Sequence, residues 1–268
     1  MKILLIIVII CDKIFRYGGD CMKKIFAGLL CIMMIVTAGC GEKVVTDETS
    51  PASESVEVTE PVGPVDSDWF NDAVFVGDSV TLRLSYYSES DDAPLGDAQF
   101  FCAGSLGYTS ALWDIDRKDA VHPYYKGQVQ LCENCAELTG ATKVFIMLGM
   151  NDLSIYGVEG TMESASELIN RIRTNSPKTK IYMQSVTPIL KGHEIGDLNN
   201  ENIRALNVEL EKFAVKHGYK YLDIYDLVAD KEGYLKADYC GDEGAQGIHF
   251  TAAACGIWAD YLKEHVRD

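Results

Sequence analysis

Short apolar runs alternate with segments of helical periodicity from about residue 69 to the C-terminus. Uninterrupted apolar runs are typical of strands buried on both faces, whereas apolar residues three and four apart are typical of amphipathic helices. The predicted strands are residues 73–76, 97–102, 143–148, 180–186 and 219–223. The predicted helices begin at Val80 and, further on, cover residues 127–138, 162–175, 199–217 and 251–265.

Strands and helices that alternate in this way predict a parallel sheet with helices on both faces. The expected fold class is therefore α/β, a three-layer α/β/α sandwich around a central parallel sheet, formed as a single domain by residues 68–268. Active sites of such folds lie at the carboxyl ends of the strands. We therefore expect the loops after the first three strands to meet at one edge; they are residues 77–79, 103–104 and 149–152.

The N-terminus departs from this alternation and holds two apolar runs within residues 1–39. The second run starts with two lysines and ends with small residues before Cys40, which is typical of a secretory signal. It resembles the bacterial lipoprotein signal, in which this cysteine is lipidated and becomes the mature N-terminus. A transmembrane helix is the alternative, but the run is short for a span. We therefore expect an extracytoplasmic lipoprotein anchored to the cell membrane through Cys40.

The first apolar run has no evident purpose in front of a second signal. Residues 17–21 can be encoded by a purine-rich sequence that resembles a ribosome-binding site. We therefore hypothesise that translation starts at Met22, which the upstream DNA would test.

Residues 41–67 are rich in Glu, Asp, Thr, Ser, Val and Pro and contain no aromatic residue. Such a composition cannot bury enough apolar surface to fold. We therefore predict a disordered acidic linker over residues 40–67, which tethers the folded domain to the membrane.

The whole chain carries a formal charge of -16 at pH 7. Loss of residues 1–39, which hold five basic and two acidic residues, would bring the charge to -19. This acidity argues against nucleic acid as a partner and against a polybasic membrane-binding patch. It carries no information about catalysis.

A candidate nucleophile follows the first predicted strand, in the turn Gly77-Asp78-Ser79. A hydroxyl at the start of a helix lies beside free N–H groups and the positive end of the helix dipole. Both favour an anion forming there. The simpler alternative is that Asp78 and Ser79 only cap the helix.

Four short segments follow one another along the chain: Gly77-Asp78-Ser79, Gly104, Gly149-Met150-Asn151-Asp152 and Gly247-Ile248-His249-Phe250-Thr251. In order and spacing they resemble the motifs of the GDSL, or SGNH, hydrolase family. The resemblance covers the chain from about Trp69 to its end. It implies an SGNH-type, flavodoxin-like fold and an ester hydrolase that needs neither a cofactor nor a metal.

The resemblance also assigns roles, and the chemistry of the side chains fits them. Ser79 would be the nucleophile, and His249 the base that it needs. The backbone N–H groups of Ser79 and Gly104 and the side-chain amide of Asn151 would form the oxyanion hole. Three other histidines belong to no motif, and we predict that they lie at the surface: His122, His193 and His217.

Two aspartates adjoin these motifs and are predicted to play supporting parts. Asp78 would hold its turn through hydrogen bonds to the backbone. Asp152 would brace the loop of Asn151 in a similar way. We expect neither carboxylate to take part in the chemistry.

The acid partner of His249 departs from the family pattern. In the family it usually lies three residues before the histidine, where this chain has Gln246. Three interpretations remain open. The preceding loop could supply Asp242 or Glu243, or a Ser–His dyad could be oriented by Gln246 or a backbone carbonyl. In the third, the site is weakened or inactive.

The spacing Cys132-x-x-Cys135 suggests a zinc or redox site, and Cys102, Cys240 and Cys255 are single. No second pair accompanies the motif, and the strand-to-helix turn usual for a redox pair is absent. Outside the membrane some of these cysteines could form disulfides.

Several aromatic residues follow Gly104 and are candidates for the wall of a substrate cleft: Tyr108, Trp113, Tyr124 and Tyr125. Packing of a long connection is an equally good explanation. Residues 187–199 form the other loop expected to shape the cleft.

The sequence therefore predicts a lipid-anchored serine esterase that acts outside the membrane through an acyl-enzyme on Ser79. The expected substrate is a small ester or an O-acylated carbohydrate. The alternative is a catalytically impaired module of the same fold that binds acylated glycans, with Gln246 as the cause of the impairment.

Overall fold

The computed structural model describes residues 63–90 and 92–267. The predicted signal region, the start at Met22, Cys40 and the linker as far as residue 62 lie outside the described residues. Within the described ranges, no helix is both long enough and apolar enough to cross a membrane.

Strands in these ranges form a five-stranded sheet and a separate hairpin. They are β1 (Ala73–Gly77), β2 (Gln99–Cys102), β3 (Tyr124–Tyr125), β4 (Gln128–Val129), β5 (Lys143–Met147), β6 (Lys180–Gln184) and β7 (Lys220–Leu222). The sheet is parallel and has the order β2-β1-β5-β6-β7. All five of its strands lie in the apolar runs that predicted them.

The register of the sheet positions the candidate site. Gly77, at the end of β1, pairs with Cys102 of β2 and with Met147 of β5. The carboxyl ends of these three strands therefore lie side by side, and the loops that follow them start at one edge of the sheet, as expected.

Helices cover both faces of the sheet. They are α1 (Ser79–Ser88), α2 (Tyr108–Ala111), α3 (Cys135–Thr139), α4 (Met150–Asn175), α5 (Asn200–His217), α6 (Ile224–Val228) and α7 (Ala252–His265). On one face, Val74 and Val144 belong to the same apolar cluster as residues of α4 and α5. On the other face, Phe75 and Phe145 belong to a cluster with residues of α1 and α7. Because neighbouring residues of a strand point to opposite faces, one continuous apolar run serves both clusters, and the three-layer α/β/α prediction is confirmed.

The predicted helix over residues 127–138 is wrong. The segment contains β4, a 3-10 turn at Cys132–Asn134 and the short helix α3. Lys126 and Gly127 have φ of 50° and 81°, as the two central residues of a type I′ hairpin turn require. The turn pairs β3 with β4 and prevents a helix from starting there.

The helix after β5 is longer than its periodicity indicates, because α4 begins at Met150 rather than at residue 162. Gly157 interrupts it with φ of 63° and ψ of -172°. Residues 154–160, which surround this kink, include no buried position, so the first part of α4 carries little of the apolar pattern that indicates a helix.

The surface prediction for the three histidines is correct for only one of them. His217 is exposed at the end of α5, His193 is partly buried and His122 is buried. The cysteines of the described residues are free thiols, and Cys132 and Cys135 both lie in the core. Both side chains of this pair belong to the apolar cluster that includes Val74 and Val144.

Candidate active site

Ser79 is the first residue of α1, directly after the end of β1. Asp78 is the N-cap, and its Oδ1 accepts a hydrogen bond of 2.9 Å from the N–H of Val80. A Cβ on Gly77 would lie 1.9 Å from the side-chain oxygen of Thr81, so only glycine allows this helix to start so close to the strand. Ser79 is partly exposed between two buried neighbours. The turn therefore presents this serine at the carboxyl edge of the sheet.

His249 lies just before α7, and its ring is hydrogen-bonded to Asp242. The distance from Nδ1 to Oδ2 is 2.7 Å, and both side chains are largely buried. An imidazole that donates from Nδ1 to a carboxylate keeps the lone pair of Nε2 free to accept a proton. The pair therefore has the geometry of a general base and its orienting acid.

The carboxylate of Asp242 is held by several donors at once. Its Oδ1 accepts hydrogen bonds of 3.0 and 2.9 Å from the N–H groups of Ile248 and His249, and the thiol of Cys240 lies 3.4 Å away. Burial alone would raise the pKa of Asp242, but the hydrogen bonds from His249 and Cys240 outweigh it and hold the pKa below its usual range. The side chain is thus kept ionised and fixed in orientation.

The two other candidates for the acid are placed differently. Glu243 and Gln246 are both exposed, and neither side chain is hydrogen-bonded to His249 in the described part of the chain. Of the three candidates that sequence reasoning left open, the structure brings only Asp242 to the ring.

Asn151, the second residue of α4, is linked to the turn of the candidate nucleophile. Its amide nitrogen donates to the carbonyl of Leu106 at 3.0 Å and lies 3.4 Å from Oδ2 of Asp78. Asp78 thus bonds its own turn through one oxygen and faces Asn151 with the other. This second contact is a connection that the motifs did not indicate.

Gly104 lies in an exposed part of the loop after β2. A Cβ at this position would meet no protein atom within 4 Å, so the space beside it is open to a ligand. Among the described residues, no acceptor is found for its N–H. The group is therefore available to a substrate oxygen.

Asp152 is buried, but it braces a different loop from the one expected. Its two carboxylate oxygens accept hydrogen bonds of 2.8 Å from the N–H groups of Tyr108 and Thr109. These are the first two residues of α2, in the connection that carries Gly104. A Cβ on Gly107 would lie 2.5 Å from the carboxylate. Asp152 thus ties the Gly104 connection to the start of α4 rather than holding the loop of Asn151.

Among the ionisable groups of the candidate site, the carboxyl of Asp78 has the most strongly shifted pKa. Burial raises the pKa of Asp78 to about 6, and the Val80 N–H and the nearby His249 only partly oppose the rise. Below that pH the protonated carboxyl can donate a hydrogen bond, whereas above it both oxygens only accept.

We expect Asp78→Asn to change how the free energy of unfolding depends on pH. Because the pKa of Asp78 rises from 3.8 to about 6 on folding, the folded protein retains a proton that the unfolded chain releases between these values. The carboxyl therefore lowers stability as the pH rises from about 4 to about 6, by roughly 3 kcal/mol. Asparagine keeps the N-cap acceptor and does not titrate. Urea unfolding from about pH 4 to 8 should thus show the variant gaining stability over the wild type as the pH rises.

The exposed Asp238 provides a matched control, since Asp238→Asn removes a carboxyl that lies in solvent. The free energy of unfolding of this control should differ from that of the wild type by a constant amount above pH 5. The prediction would be contradicted if the free energy of unfolding of Asp78→Asn also differed from that of the wild type by a constant amount over this pH range.

A cleft of about 150 Å³ lies beside Asn151. Among the aromatic candidates, Trp113 lines it, whereas Tyr108 is wholly buried and Tyr125 packs on Phe101. Tyr124 is exposed and, like residues 187–199, does not line the cleft. Trp113 is thus the one of these candidates that lines the cleft, and its part in substrate binding stays a prediction.

Ile155 and Tyr156 line the same cleft and were not identified from the sequence. Both are exposed apolar residues in the first turns of α4, four and five residues beyond Asn151 and so about one helical turn away. That spacing was the available signal, but it becomes visible only if α4 is known to start at Met150.

A larger cavity of about 1300 Å³ lies at the opposite edge of the sheet. Lys143, Lys180 and Lys220, the first residues of three strands, line it. No residue of the candidate site borders it. Asn151 and Asp152 line the smaller cleft, whereas Ser79, Gly104 and His249 line neither of the two.

The sequence profile of the GDSL-like Lipase/Acylhydrolase family matches residues 75–255, a range that contains all four motif segments. The chain belongs to this family, which is one of ester hydrolases. The resemblance inferred from the motifs is thereby confirmed.

Solved structures of similar fold support the architecture. A GDSL-like lipase from Bacteroides thetaiotaomicron is 17% identical with a TM-score of 0.55, over 76% of this chain and 90% of that one. A carbohydrate acetylesterase family member from Sinorhizobium meliloti is 15% identical with a TM-score of 0.50, over 72% and 95%. At such identities the likeness establishes the fold alone. No curated protein matches the chain.

Proposed function

We propose that this protein is a serine esterase that cleaves carboxylic esters through an acyl-enzyme on Ser79. The observation that carries the proposal is the 2.7 Å hydrogen bond between His249 and Asp242. This bond orients His249 as a base. The candidate nucleophile, Ser79, starts a helix at the edge of the sheet where active sites of this fold lie. The family assignment to ester hydrolases supports the same reaction class.

In the proposed reaction, Oγ of Ser79 attacks the acyl carbonyl carbon, and Nε2 of His249 accepts the hydroxyl proton. The tetrahedral intermediate collapses as His249 returns that proton to the departing alcohol, which leaves the acyl group on Ser79. A water molecule then attacks the acyl carbonyl carbon and gives one proton to His249. His249 passes this proton to Oγ of Ser79 as the bond between Oγ and the acyl group breaks and the acid leaves. Asp242 keeps the ring in the required tautomer and stabilises the imidazolium that forms twice.

The negative oxygen of each intermediate would be held by the N–H groups of Ser79 and Gly104 and by the amide of Asn151. One hydrogen of this amide is already bound to Leu106, at 3.0 Å. The contact with Asp78 at 3.4 Å is long, so the second hydrogen is only weakly bound there and is available to donate to the oxyanion. Donors fixed in advance are the usual source of such stabilisation.

The substrate class that we propose is a small ester or an O-acylated carbohydrate. The cleft of about 150 Å³ beside Asn151 is small, and it combines the aromatic rings of Trp113 and Tyr156 with polar side chains. It adjoins the site at this proposed oxyanion donor, and not at Ser79 or His249. The Sinorhizobium meliloti structure of similar fold is described as a carbohydrate acetylesterase family member. Both observations favour a short acyl group on a polar alcohol.

Hydrolysis of aryl esters from acetyl to long acyl, and release of acetate from acetylated polysaccharides, would test this proposal. We expect turnover that is highest with acetyl esters and falls as the chain lengthens. Absence of turnover across both series, together with binding of acetylated glycans, would instead favour the impaired binding module. That alternative rested on Gln246, and the contact of Asp242 with His249 weakens its basis.

We also propose that the protein is lipidated at Cys40 and held outside the cell membrane. The support is the signal-like run that ends at this cysteine and the acidic linker that follows it. Mass spectrometry of the N-terminal peptide from membrane fractions would test it, with Cys40→Ser as the control. A peptide that begins upstream of Cys40 and carries no lipid would contradict the proposal.

A further inference from the structure

The loop of residues 242–247 carries Asp242 and is supported by little of its own sequence. It closes on itself, since the carbonyl of Asp242 accepts hydrogen bonds from the N–H groups of Ala245 at 2.8 Å and Gly247 at 3.3 Å. Its four central residues, 243–246, are all exposed. A loop of this kind needs contacts from elsewhere to hold a carboxylate in one orientation.

His193 supplies such contacts from a distant part of the chain. Its Nε2 lies 2.8 Å from the backbone carbonyl of Glu243, and because a carbonyl only accepts, Nε2 carries the hydrogen and donates it. The ring also lies against the backbone of Gly247, where a Cβ would be 2.6 Å from the ring carbon Cγ. Beside it, the N–H of Leu190 donates to the carbonyl of Gly247 at 2.8 Å. The loop is thus held near both of its ends.

The segment that presents His193 is itself well anchored. The N–H of His193 donates to the carbonyl of Leu190 at 3.1 Å. The buried side chain of Asn200 bonds both the N–H and the carbonyl of Ile189, at 2.8 and 2.9 Å. His193 therefore connects the loop to the start of α5.

Within the described residues, one of the two nitrogens of the His193 ring is hydrogen-bonded. Nδ1 is buried and has no hydrogen-bond partner within the described ranges. The bond to Glu243 is thus the polar contact that fixes the ring, and no second structural hydrogen bond explains why a histidine stands there.

We propose that His193 is a positioning residue for the esterase reaction, which fixes loop 242–247 so that Asp242 stays bonded to His249. It exchanges no proton with the substrate and acts only through Asp242. The inference rests on the proposed function of Ser79, His249 and Asp242.

Three variants test this role. His193→Leu removes the donor, and we expect kcat to fall about 10- to 100-fold with KM changed less than about twofold, because a small misplacement of an orienting group costs about that much. His193→Gln can still donate to the carbonyl of Glu243 and should restore most of the activity. His217→Leu removes an exposed histidine and should leave kcat within about twofold.

A double-mutant cycle separates positioning from a general structural effect. If His193 acts through Asp242, His193→Leu should cost little in an Asp242→Asn background, since the contact it protects is already lost. An equal loss in both backgrounds would overturn the proposal. Thermal unfolding of every variant identifies loss of folded protein, and His193→Gln remains informative if His193→Leu does not fold.

A second readout does not depend on activity. The Nδ1 proton of His249, bonded to a carboxylate, should give a downfield proton resonance that is absent in Asp242→Asn. We expect it to shift or broaden in His193→Leu and to persist in His193→Gln. An unchanged resonance in His193→Leu would overturn the positioning role. If the resonance responds as expected but the wild type hydrolyses no ester, the proposed function fails and the coupling of His193 to Asp242 stands.

Discussion

Replacement of Ser79 by alanine is expected to lower the turnover of aryl acetates by about 10⁴- to 10⁶-fold, the range for loss of a catalytic serine. The variant keeps the helix start and the N–H at position 79, so binding of the ester should change little. The loss should therefore fall on kcat and not on KM. Burst kinetics with an activated ester would measure acyl-enzyme formation directly, and the variant should show no burst.

Ser90, which is exposed just beyond α1, provides the matched control. Ser90→Ala should keep full activity, which excludes a general effect of removing a hydroxyl from this region. If Ser79→Ala retained turnover comparable to the wild type, the acyl-enzyme mechanism would be wrong. If it lost turnover and also lost affinity for the ester, Ser79 would have a role in binding that the geometry does not indicate.

The second large effect is expected for Asp242→Asn, at about 10⁴-fold in kcat. The asparagine oxygen can still accept from the backbone N–H groups of Ile248 and His249, so the loop should keep its shape. The amide NH₂ would then face Nδ1 of His249, now 2.7 Å from the carboxylate. Two donors cannot face each other, so the ring would take the tautomer with hydrogen on Nε2 and could not accept the proton of Ser79.

Glu243→Gln and Gln246→Ala serve as matched controls for the acid, because both residues belong to the same loop and are exposed. Each should leave kcat within about twofold. A large loss in Glu243→Gln with none in Asp242→Asn would assign the acid to Glu243. A loss in none of the three variants would favour a Ser–His dyad oriented by the backbone.

The sheet was predictable because its strands are buried on both faces and therefore read as continuous apolar runs, as in residues 143–148. The hairpin of β3 and β4 was not, because two residues with positive φ, Lys126 and Gly127, decide it. The spacing of apolar residues does not indicate whether such a turn is present. The early start of α4 was missed for a different reason, since residues 154–160, around the kink at Gly157, contain no buried position.

Within the candidate site, Ser79, Asn151 and His249 could be identified from sequence because each lies in a short segment that resembles a motif of the family, and because Ser79 also follows a predicted strand end. The partner of Asp152 could not, since its two hydrogen bonds reach back 44 and 43 residues to Tyr108 and Thr109. A short acidic side chain bonds whichever N–H groups the packing brings near. The residues next to Asp152 in the sequence therefore do not indicate which N–H groups it bonds.

The sequence by itself determined the five strands of the central sheet, the edge of the sheet at which the motifs meet and, through the family motifs, the candidates for nucleophile and base. These follow from apolar runs and from residue types that one chemistry requires. Only the tertiary structure decided that Asp242 contacts His249, that Asp78 faces Asn151 and that His193 holds the loop between Asp242 and Gly247. Such contacts depend on where loops distant in sequence come to rest, and packing and hydrogen bonding of the whole domain set those positions.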